Sequence, residues 1–308
     1  MVGGREHNIP HKRNKSHHET NKYIMCCSSC FAVPLVTIRL LATSVALLYG
    51  QRLLCANPSR GKWTRRITLV IAVLVSLALS GLGIFLLVLV TNAGYRSSNF
   101  ASLCVSQNLR SSPLDEHRCS ILREGGVSGR VLEFGPGPGT NFRCFQNDTR
   151  SNIEEYVAVE PNPFFEEEMR KERDVRGLTF PLRFVGIKGE DVNETGSFDV
   201  VILTHVLCSV DSVADVLANA ERALKPGGRI IFMEHVVAKE KTVTWYEQCA
   251  LAPILYIVGN GCTFRDLRDD IGSYLGDRFE MKIQDFNAPG PLFMHFVRPH
   301  IKGVATKK

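Results

Sequence analysis

The sequence predicts an α/β fold in which a mostly parallel sheet follows an apolar N-terminal region. Three observations predict it. Short β-rich runs alternate with helical patterns over residues 131–234, the order of β-α-β units with right-handed crossovers. A glycine-rich turn follows the first run, and the last two runs flank a Pro/Gly segment typical of an antiparallel hairpin. The polar residues singled out below follow predicted strands, where open α/β sheets bind ligands.

The first predicted strand covers residues 131–134, and Gly135, Gly137 and Gly139 follow it at alternate positions. Glycine adopts positive φ and has no Cβ, so such a turn lets a ligand contact backbone N–H groups before a helix begins. A dinucleotide-binding turn would be G-x-G-x-x-G, and Thr140 stands where its third glycine belongs. The spacing therefore favours S-adenosylmethionine (SAM) over NAD. A glycine-rich turn without a ligand is the alternative.

The second predicted strand covers residues 156–160 and ends in Glu160, 21 residues beyond Gly139. A carboxylate at that strand tip can accept hydrogen bonds from both hydroxyls of a ribose. Pro161 and Pro163 restrict the backbone after it, which favours a shaped loop over a solvated strand end. Glu160 is therefore the candidate ribose-binding acid.

A third predicted strand at 182–186 precedes two acids, Glu190 and Asp191, at the edge where an adenine would lie. An acid there could accept a hydrogen bond from the adenine amino group. Residues 198–204 form a near-continuous β-rich run, typical of a strand buried on both faces, and are predicted to be the centre of the sheet.

The remaining elements complete the predicted sheet. A helix is expected over 211–224 with Asp211 as its N-cap, followed by a fifth strand at 228–234. Two further β-rich runs, 279–285 and 292–298, are predicted to form the closing antiparallel hairpin.

Several different short motifs lie along this region. They are LEFGPGPGTNF at 132–142, EPNP at 160–163, GED at 189–191, VLCSV at 206–210, LKPGG at 224–228, FMEHV at 232–236, Thr244 with Trp245, Gly261 with Cys262, and VRPHI at 297–301. Together they make the segment 131–304 resemble the methyltransferase-like 7 family, a membrane-anchored group of class I SAM-dependent enzymes associated with thiol S-methylation. VLCSV, FMEHV and VRPHI are the specific motifs. The chain departs from the family pattern at Pro136 and Pro138, at Glu160 where Asp is frequent, and at His205 where an aliphatic residue is common.

The resemblance implies a class I methyltransferase fold, with a Rossmann-like seven-stranded sheet that is mostly parallel and ends in an antiparallel hairpin. It also implies SAM as the cofactor and a small lipophilic thiol as the acceptor. Methylation of a membrane lipid or quinone precursor is the alternative activity, and a membrane or lipid-droplet scaffold without turnover is a third interpretation. The residues expected to bind the cofactor are Glu133, Gly135, Gly137, Gly139, Asn141, Glu160, Pro161, Asn162, Glu190, Asp191 and Thr204.

A thiol must lose its proton before methyl transfer, and two histidines are candidate bases. His205 follows the central strand and His235 follows the fifth, and either could titrate near neutrality. A structural role is the alternative for each. Cys208 is interpreted as a packing residue beside the cofactor, since methyl transfer needs no covalent enzyme intermediate. The sequence shows no metal-ligand spacing, so no metal is expected. The apolar segment 236–263 is a candidate lid over the acceptor, with a core helix as the alternative.

Charge and hydropathy divide the chain into three segments. The first 66 residues carry 11 Lys and Arg against two acids, residues 67–90 carry no charge, and residues 91–308 carry 26 Lys and Arg against 29 acids. A basic segment beside an apolar span favours an anionic membrane surface as partner and argues against a catalytic face that binds nucleic acid. As a helix, 67–90 would measure about 36 Å against about 30 Å of hydrocarbon. A weaker apolar run at 31–49 could span or lie in the interface.

We therefore expect a basic tail at 1–30, a membrane anchor at 31–90, a linker with a leading helix at 91–120, and the catalytic domain at 121–308. By the positive-inside rule the basic loop between the apolar runs would lie in the cytosol, but the N-terminal tail is equally basic. If the two apolar runs form a hairpin, the tail and the catalytic domain lie on the same side of the membrane, and the supply of SAM favours the cytosolic side of the endoplasmic reticulum or a lipid droplet. The sequons at Asn147 and Asn193 are interpreted as chance matches, because glycans are added only in the lumen.

The ten cysteines are not expected to form a disulfide framework, because the cytosol would keep them as thiols. Cys26, Cys27 and Cys30 precede an apolar run in a basic region and are candidate palmitoylation sites, with unmodified thiols as the alternative.

Overall fold

A computed structural model of the chain describes residues 62–145, 152–290 and 292–308. Its strands form one seven-stranded sheet in the order β3-β2-β1-β4-β5-β7-β6. Strands β1 to β5 are parallel, and β7 runs antiparallel to both β5 and β6. The predicted fold class is confirmed. The strands are β1 Gly129–Phe134, β2 Ile153–Val159, β3 Leu182–Val185, β4 Phe198–Thr204, β5 Leu224–His235, β6 Phe279–Asn287 and β7 Pro299–Lys307.

Helices flank the sheet on both faces and precede it. Within the described ranges they are α1 Lys62–Thr91, α2 Ala93–Asn108, α3 Asp115–Glu124, α4 Glu166–Val175, α5 Val213–Ala223, α6 Val243–Val258 and α7 Leu267–Leu275. The order of strands and helices after α3 is that of successive β-α-β units, as the sequence predicts.

Strand β4 shows why the sheet centre is predictable. Val201 and Leu203 pack on one face with helices α5 and α7, while Val200 and Ile202 pack on the other face with α3 and α4. All four side chains are fully buried. A strand covered on both sides needs apolar residues at every position, and the near-continuous apolar run of β4 meets that need.

Two boundary predictions are wrong. The predicted hairpin strand at 292–298 is instead a 3-10 helix, Leu292–Val297, and β7 begins at Pro299. A proline donates no backbone hydrogen bond and is tolerated as the first residue of a strand, which fits this start. Helix α5 is capped by Ser212, whose side chain accepts from the N–H of Asp215, and the predicted cap Asp211 lies one residue outside.

Helix α1 is the first described element, and most of its surface is exposed. Its part Arg66–Thr91 has the length and apolar composition needed to cross a membrane, and among the described helices it alone does. This helix contains the predicted span 67–90. The run 31–49, the tail with Cys26, Cys27 and Cys30, and Asn147 lie outside the described residues. The domain boundaries stay predictions.

One pair of cysteines contradicts the expectation of free thiols. Cys119 in α3 and Cys144 form a disulfide, with Cα atoms 4.8 Å apart. Cys144 ends the short 3-10 helix Thr140–Cys144, which follows the glycine turn and packs against α3. The two residues are 25 positions apart and meet only through this packing, so local spacing gives no sign of the pair.

Candidate active site

A cavity of about 1480 Å³ lies at the carboxyl ends of β1, β2, β4 and β5. A single small-molecule site usually measures about 300–1,000 Å³, so this cavity has room for a cofactor and an acceptor side by side. Helices α2 and α6 contribute further walls, through residues such as Phe100 and Tyr256. The site thus includes α2, which lies in the segment 91–120 that the sequence assigns to a linker with a leading helix.

The glycine turn after β1 forms part of this cavity. Gly135, Gly137 and Gly139 all have positive φ, between 56° and 82°. A Cβ added at Gly135 would lie 2.5 Å from the Val206 side chain, and one at Gly139 would lie 2.7 Å from Phe142. A Cβ at Gly137 would meet nothing closer than 4.0 Å. Packing therefore requires the first and third glycines, whereas the second leaves space on the cavity side.

Glu160 follows β2 and faces the same turn. Its Oε1 accepts from the N–H of Asn162 at 2.9 Å, and its Oε2 accepts from the N–H of Gly137 at 3.2 Å. Burial raises the pKa of Glu160 to about 7, although these two backbone hydrogen bonds lower it. Asn162 in turn donates from Nδ2 to the carbonyl of Ser97 at 2.9 Å, which ties the loop to α2. Pro161 also lines the cavity.

A buried polar group lies behind the glycine turn. Asn141 donates from Nδ2 to Oε1 of Glu133 at 2.6 Å and to Oγ1 of Thr204 at 2.9 Å. Burial raises the pKa of Glu133 to about 8, and its Oε2 has no hydrogen-bond partner in the described chain. Of these three residues, Thr204 lines the cavity. Thr204 thus connects the cavity to a buried acid that two hydrogen-bonding neighbours hold in place.

At the predicted adenine edge, the two candidate acids differ in their position relative to the cavity. Oε1 of Glu190 accepts from the N–H groups of Asp211 and Ser212, at 2.6 and 3.1 Å. Glu190 lines the cavity and Asp191 does not. Asn219 of α5, which sequence reasoning missed, supports the loop by donating to the carbonyls of Gly189 and Glu190. The carboxylate of Glu190 therefore links this loop to the start of α5.

The two candidate bases have different surroundings. His205 has φ 54°, and its Nε2 lies 3.1 Å from Nε2 of His300, while its Nδ1 lies 3.4 Å from the Arg118 guanidinium. Burial and the Arg118 charge hold the pKa of His205 well below its usual value. Burial likewise lowers the pKa of His300 to about 4. His205 is therefore neutral at neutral pH and a poor proton acceptor.

His235 instead lies beside two thiols. Its Nε2 is 3.2 Å from Sγ of Cys262, and Sγ of Cys208 lies in the same cluster. A hydrogen bond with Cys262 lowers the pKa of Cys208 well below its usual value, against the effect of burial. Burial lowers the pKa of His235, but the Cys208 charge, a hydrogen bond with Cys208 and the Glu234 charge together raise it overall. The pair therefore favours a thiolate beside an imidazolium.

Three of the residues around these histidines were not assigned a role from sequence. Cys262 and His300 belong to the GC and VRPHI motifs, which are the signals that could have pointed to them. Arg118 lies in α3, ahead of every motif, and carried no such signal.

Comparison with known proteins decides the family. Residues 112–256 match a family model described as a methyltransferase domain. The chain is 37% identical over 195 residues to human thiol S-methyltransferase TMT1A. This alignment covers 61% of this chain and 76% of the relative. The chain is 36% identical over 188 residues to human TMT1B, covering 59% and 73%. The chain belongs to the methyltransferase-like 7 family. It is a SAM-dependent methyltransferase, as the motifs predict, and the scaffold interpretation is set aside.

The fold has a solved counterpart in the YcgJ protein of Bacillus subtilis. That structure superposes with a TM-score of 0.51 at 14% identity, covering 63% of this chain and 98% of YcgJ. At this identity the likeness concerns the fold alone.

The site residues of this methyltransferase-like 7 member fit SAM. A ribose carries two hydroxyl donors, and Glu160 offers a buried carboxylate beside the glycine turn. The amino-acid part of SAM carries an ammonium group, and Glu133 has an oxygen without a partner in the described residues. The open side of Gly137 gives the ligand access to the backbone between these two acids.

Proposed function

We propose that this enzyme transfers a methyl group from SAM to the sulfur of small lipophilic thiols. The observation that carries the proposal is the similarity to TMT1A and TMT1B, both named thiol S-methyltransferases. The apolar wall of the cavity, formed by α6, supports the lipophilic part of the proposal, because Ala252, Pro253 and Tyr256 line it.

We base the proposed cofactor contacts on the geometry of the cavity. Glu160 accepts the ribose hydroxyls, while Pro161 and Asn162 shape its loop. Thr204 lines the cavity at the amino-acid end, while Glu133 and Asn141 are buried, are hydrogen-bonded within this group and do not line the cavity themselves. Glu190 lies at the adenine edge, and we leave Asp191 out of the contact set because it does not line the cavity. The glycine turn of Gly135, Gly137 and Gly139 supports the ligand between these acids.

The chemistry requires positioning more than side-chain catalysis. SAM, when bound, supplies an electrophilic methyl group, and its positive charge disappears as a thiolate attacks. Holding the two sulfur atoms in line and excluding water therefore account for most of the rate. We assign the acceptor sulfur to the His235 side of the cavity, where Cys208 and Cys262 lie. We assign His205 a positioning role, since its lowered pKa makes it a poor base.

We propose that helix α1 anchors the enzyme in the membrane of the endoplasmic reticulum or lipid droplets, with the catalytic domain in the cytosol, where SAM is supplied. The Cys119–Cys144 bridge favours the opposite, lumenal side, because disulfides are rare in the cytosol. Protease protection in sealed microsomes decides between the two. Digestion of the catalytic domain without detergent supports the cytosolic side, and glycans at Asn147 or Asn193 would contradict it.

Methylation of a membrane lipid or quinone precursor is the second candidate, favoured by the apolar span Arg66–Thr91. One screen separates the candidates. The purified full chain is incubated with SAM and panels of thiols, phenols, amines and quinols, and release of S-adenosylhomocysteine is followed. Turnover with thiols alone supports the first proposal, and turnover with quinols or phenols alone would replace it with the second.

A further inference from the structure

Three soft donor atoms converge on one wall of the cavity. They are Sγ of Cys208 in the loop after β4, the imidazole of His235 at the end of β5, and Sγ of Cys262 after α6. All three lie within 4.8 Å of one another, and Nε2 of His235 is 3.2 Å from Sγ of Cys262. The donors come from three separate segments, so the fold has brought them together.

The spacing suits a metal ion. Zinc binds sulfur at about 2.3 Å and imidazole nitrogen at about 2.0–2.1 Å, so tetrahedral ligands lie roughly 3.4–3.8 Å from one another. The present separations, 3.2 Å for one pair and no more than 4.8 Å for any pair, span these values. Two thiolates and one neutral imidazole also form a known catalytic zinc set, in which three protein ligands leave the fourth position open.

The backbone around the cluster is already held in place. Thr263, next to Cys262, donates from its backbone N–H and from Oγ1 to the carbonyl of Cys208, both at 3.0 Å. Glu234, next to His235, accepts the N–H groups of Val206 and Leu207 at 2.9 and 3.0 Å, and so fixes the loop that carries Cys208. The three ligands are therefore preorganised by direct contacts between their own segments.

Two buried polar atoms of this wall lack partners among the described residues. They are Nδ1 of His235 and Oε2 of Glu234. The two thiols can each lose a proton, which would place two negative charges side by side. A dication bound by two thiolates neutralises that charge and leaves His235 as a neutral ligand with a proton on Nδ1. The charge and donor set thus point to the same ligand class, a thiophilic divalent metal.

We propose that Cys208, His235 and Cys262 bind one zinc ion, whose fourth position takes the sulfur of the acceptor thiol. The acceptor half rests on the proposed function, whereas the metal half stands alone. On binding, the thiol S–H bond breaks, a zinc–sulfur bond forms, and the proton leaves to solvent. A sulfur lone pair then attacks the methyl carbon as the bond to the sulfonium breaks, and that electron pair stays on S-adenosylhomocysteine. The thioether product is neutral and a weaker ligand, so it leaves.

Metal content tests the first half directly. The full chain, purified in detergent without metal-affinity resin, is expected to hold about one zinc per chain by inductively coupled plasma mass spectrometry. Cys208→Ser, His235→Ala and Cys262→Ser should each lower zinc content at least tenfold. Cys249→Ser is the matched control, because Cys249 also lines the cavity but lies outside the cluster, and it should keep its zinc.

A second measurement uses wild-type protein, because a variant that fails to fold would lose its zinc for that reason alone. Wild-type protein stripped with a chelator and reloaded with cobalt(II) should gain thiolate-to-metal charge-transfer absorption, and metal should protect two thiols from alkylation, mapped to Cys208 and Cys262. Wild-type protein that is folded and binds SAM, yet holds no zinc and shows neither signature, would overturn the metal site. A disulfide found between Cys208 and Cys262 in that protein would overturn it equally.

The two halves fail in distinguishable ways. Zinc at the cluster with no methylation of any thiol contradicts the proposed function and the acceptor half but leaves the metal site standing. Thiol methylation by folded, zinc-free enzyme that a chelator does not inhibit contradicts the metal site but leaves the proposed function standing. A change in the cobalt spectrum on adding an acceptor thiol supports both halves.

Discussion

The carboxylate of Glu160 accepts the backbone N–H of Gly137 at 3.2 Å, which joins the acid after β2 to the glycine turn after β1. Two strands that are neighbours in the sheet thereby present one continuous surface to a ligand. The contact also keeps the acid buried, and burial is the largest cause of its raised pKa, about 7.

The affinity of the enzyme for SAM should depend on the charge of Glu160. In the SAM-free protein this group is largely protonated below pH 7, and a protonated acid accepts hydroxyl donors poorly. We expect SAM affinity to rise about tenfold between pH 6 and pH 8, measured by isothermal titration calorimetry. Glu160→Gln should reduce this dependence to the part contributed by Glu133, whose pKa is about 8. Glu160→Ala should weaken binding by about 1–3 kcal/mol at pH 8. An unchanged pH profile in Glu160→Gln would show that another group controls binding.

The stability of the SAM-free protein should change in the opposite direction. The pKa of Glu160 is raised in the folded state from an ordinary value of 4.5, so the unfolded state binds fewer protons between pH 4.5 and 7. This group's contribution to the free energy of unfolding is present below pH 4.5 and is lost as pH rises through 7. Thermal melts of wild type and Glu160→Gln across this range should diverge, with the variant relatively more stable at pH 8.

Two glycines of the turn should respond differently to alanine. Gly135→Ala places a Cβ 2.5 Å from Val206, so it should lower Tm markedly. Gly137→Ala meets no neighbour within 4 Å beyond one ring atom of Phe165, so its stability cost should be limited to the positive φ, about 1–2 kcal/mol. SAM affinity should nevertheless fall in Gly137→Ala, because Gly137 lines the cavity and the new methyl group takes up open space beside it. Calorimetry and melting curves on the pair test this, and unaltered SAM affinity in Gly137→Ala would contradict the placement.

Helix α2 should be required for cofactor binding. Ser97 accepts a hydrogen bond from Asn162, and Phe100 packs edge-on against Phe165 at 6.1 Å. A chain beginning at Asn92 keeps both contacts, whereas one beginning at Ser111 loses them, so SAM should bind the shorter chain about tenfold more weakly. Equal affinities in the two truncated chains would show that α2 is only a linker.

The Cys119–Cys144 bridge should stabilise the region behind the glycine turn. Closing a loop of 25 residues contributes about 3 kcal/mol by restricting the unfolded chain. Reduction, or the double change Cys119→Ser with Cys144→Ser, should therefore lower Tm by several degrees. Cys104→Ser is the control, because Cys104 is a free cysteine. Alkylation followed by mass spectrometry reports the bridge itself, and two freely alkylated thiols in native membranes would contradict it.

The sequence predicts those parts of the site that one segment builds alone. The glycine turn and the acid at the end of β2 each follow their strand directly, and the apolar run of β4 reports burial on both faces. The cluster of Cys208, His235 and Cys262 is different, because its members come from two loops and the end of β5, and no local spacing links them. The absence of ligand spacing in the sequence therefore gave no guide to metal binding.

The wrong position predicted for the last strand has a similar explanation. Residues 292–298 are rich in β-forming types, yet Leu292–Val297 form a 3-10 helix and the strand starts at Pro299. That strand lies between β5 and β6, where Gly303 approaches the ring of Phe232 closely. Such a position depends on its neighbours in the sheet more than on β propensity.

The acceptor sulfur can be tested through its own ionisation. If the reacting species is the thiolate, kcat/KM should rise with pH up to the pKa of each free thiol, so thiols of lower pKa should reach their plateau at lower pH. A proton acceptor in the protein would instead give one inflection for every thiol, and His205→Ala or His235→Ala would remove it. We expect the first result, because His205 is held neutral with a low pKa and His235 lies against two sulfur atoms. A panel of thiols with graded pKa, assayed at saturating SAM, separates the two patterns. An inflection common to all thiols that disappears in His205→Ala would make that residue the base and overturn its positioning role.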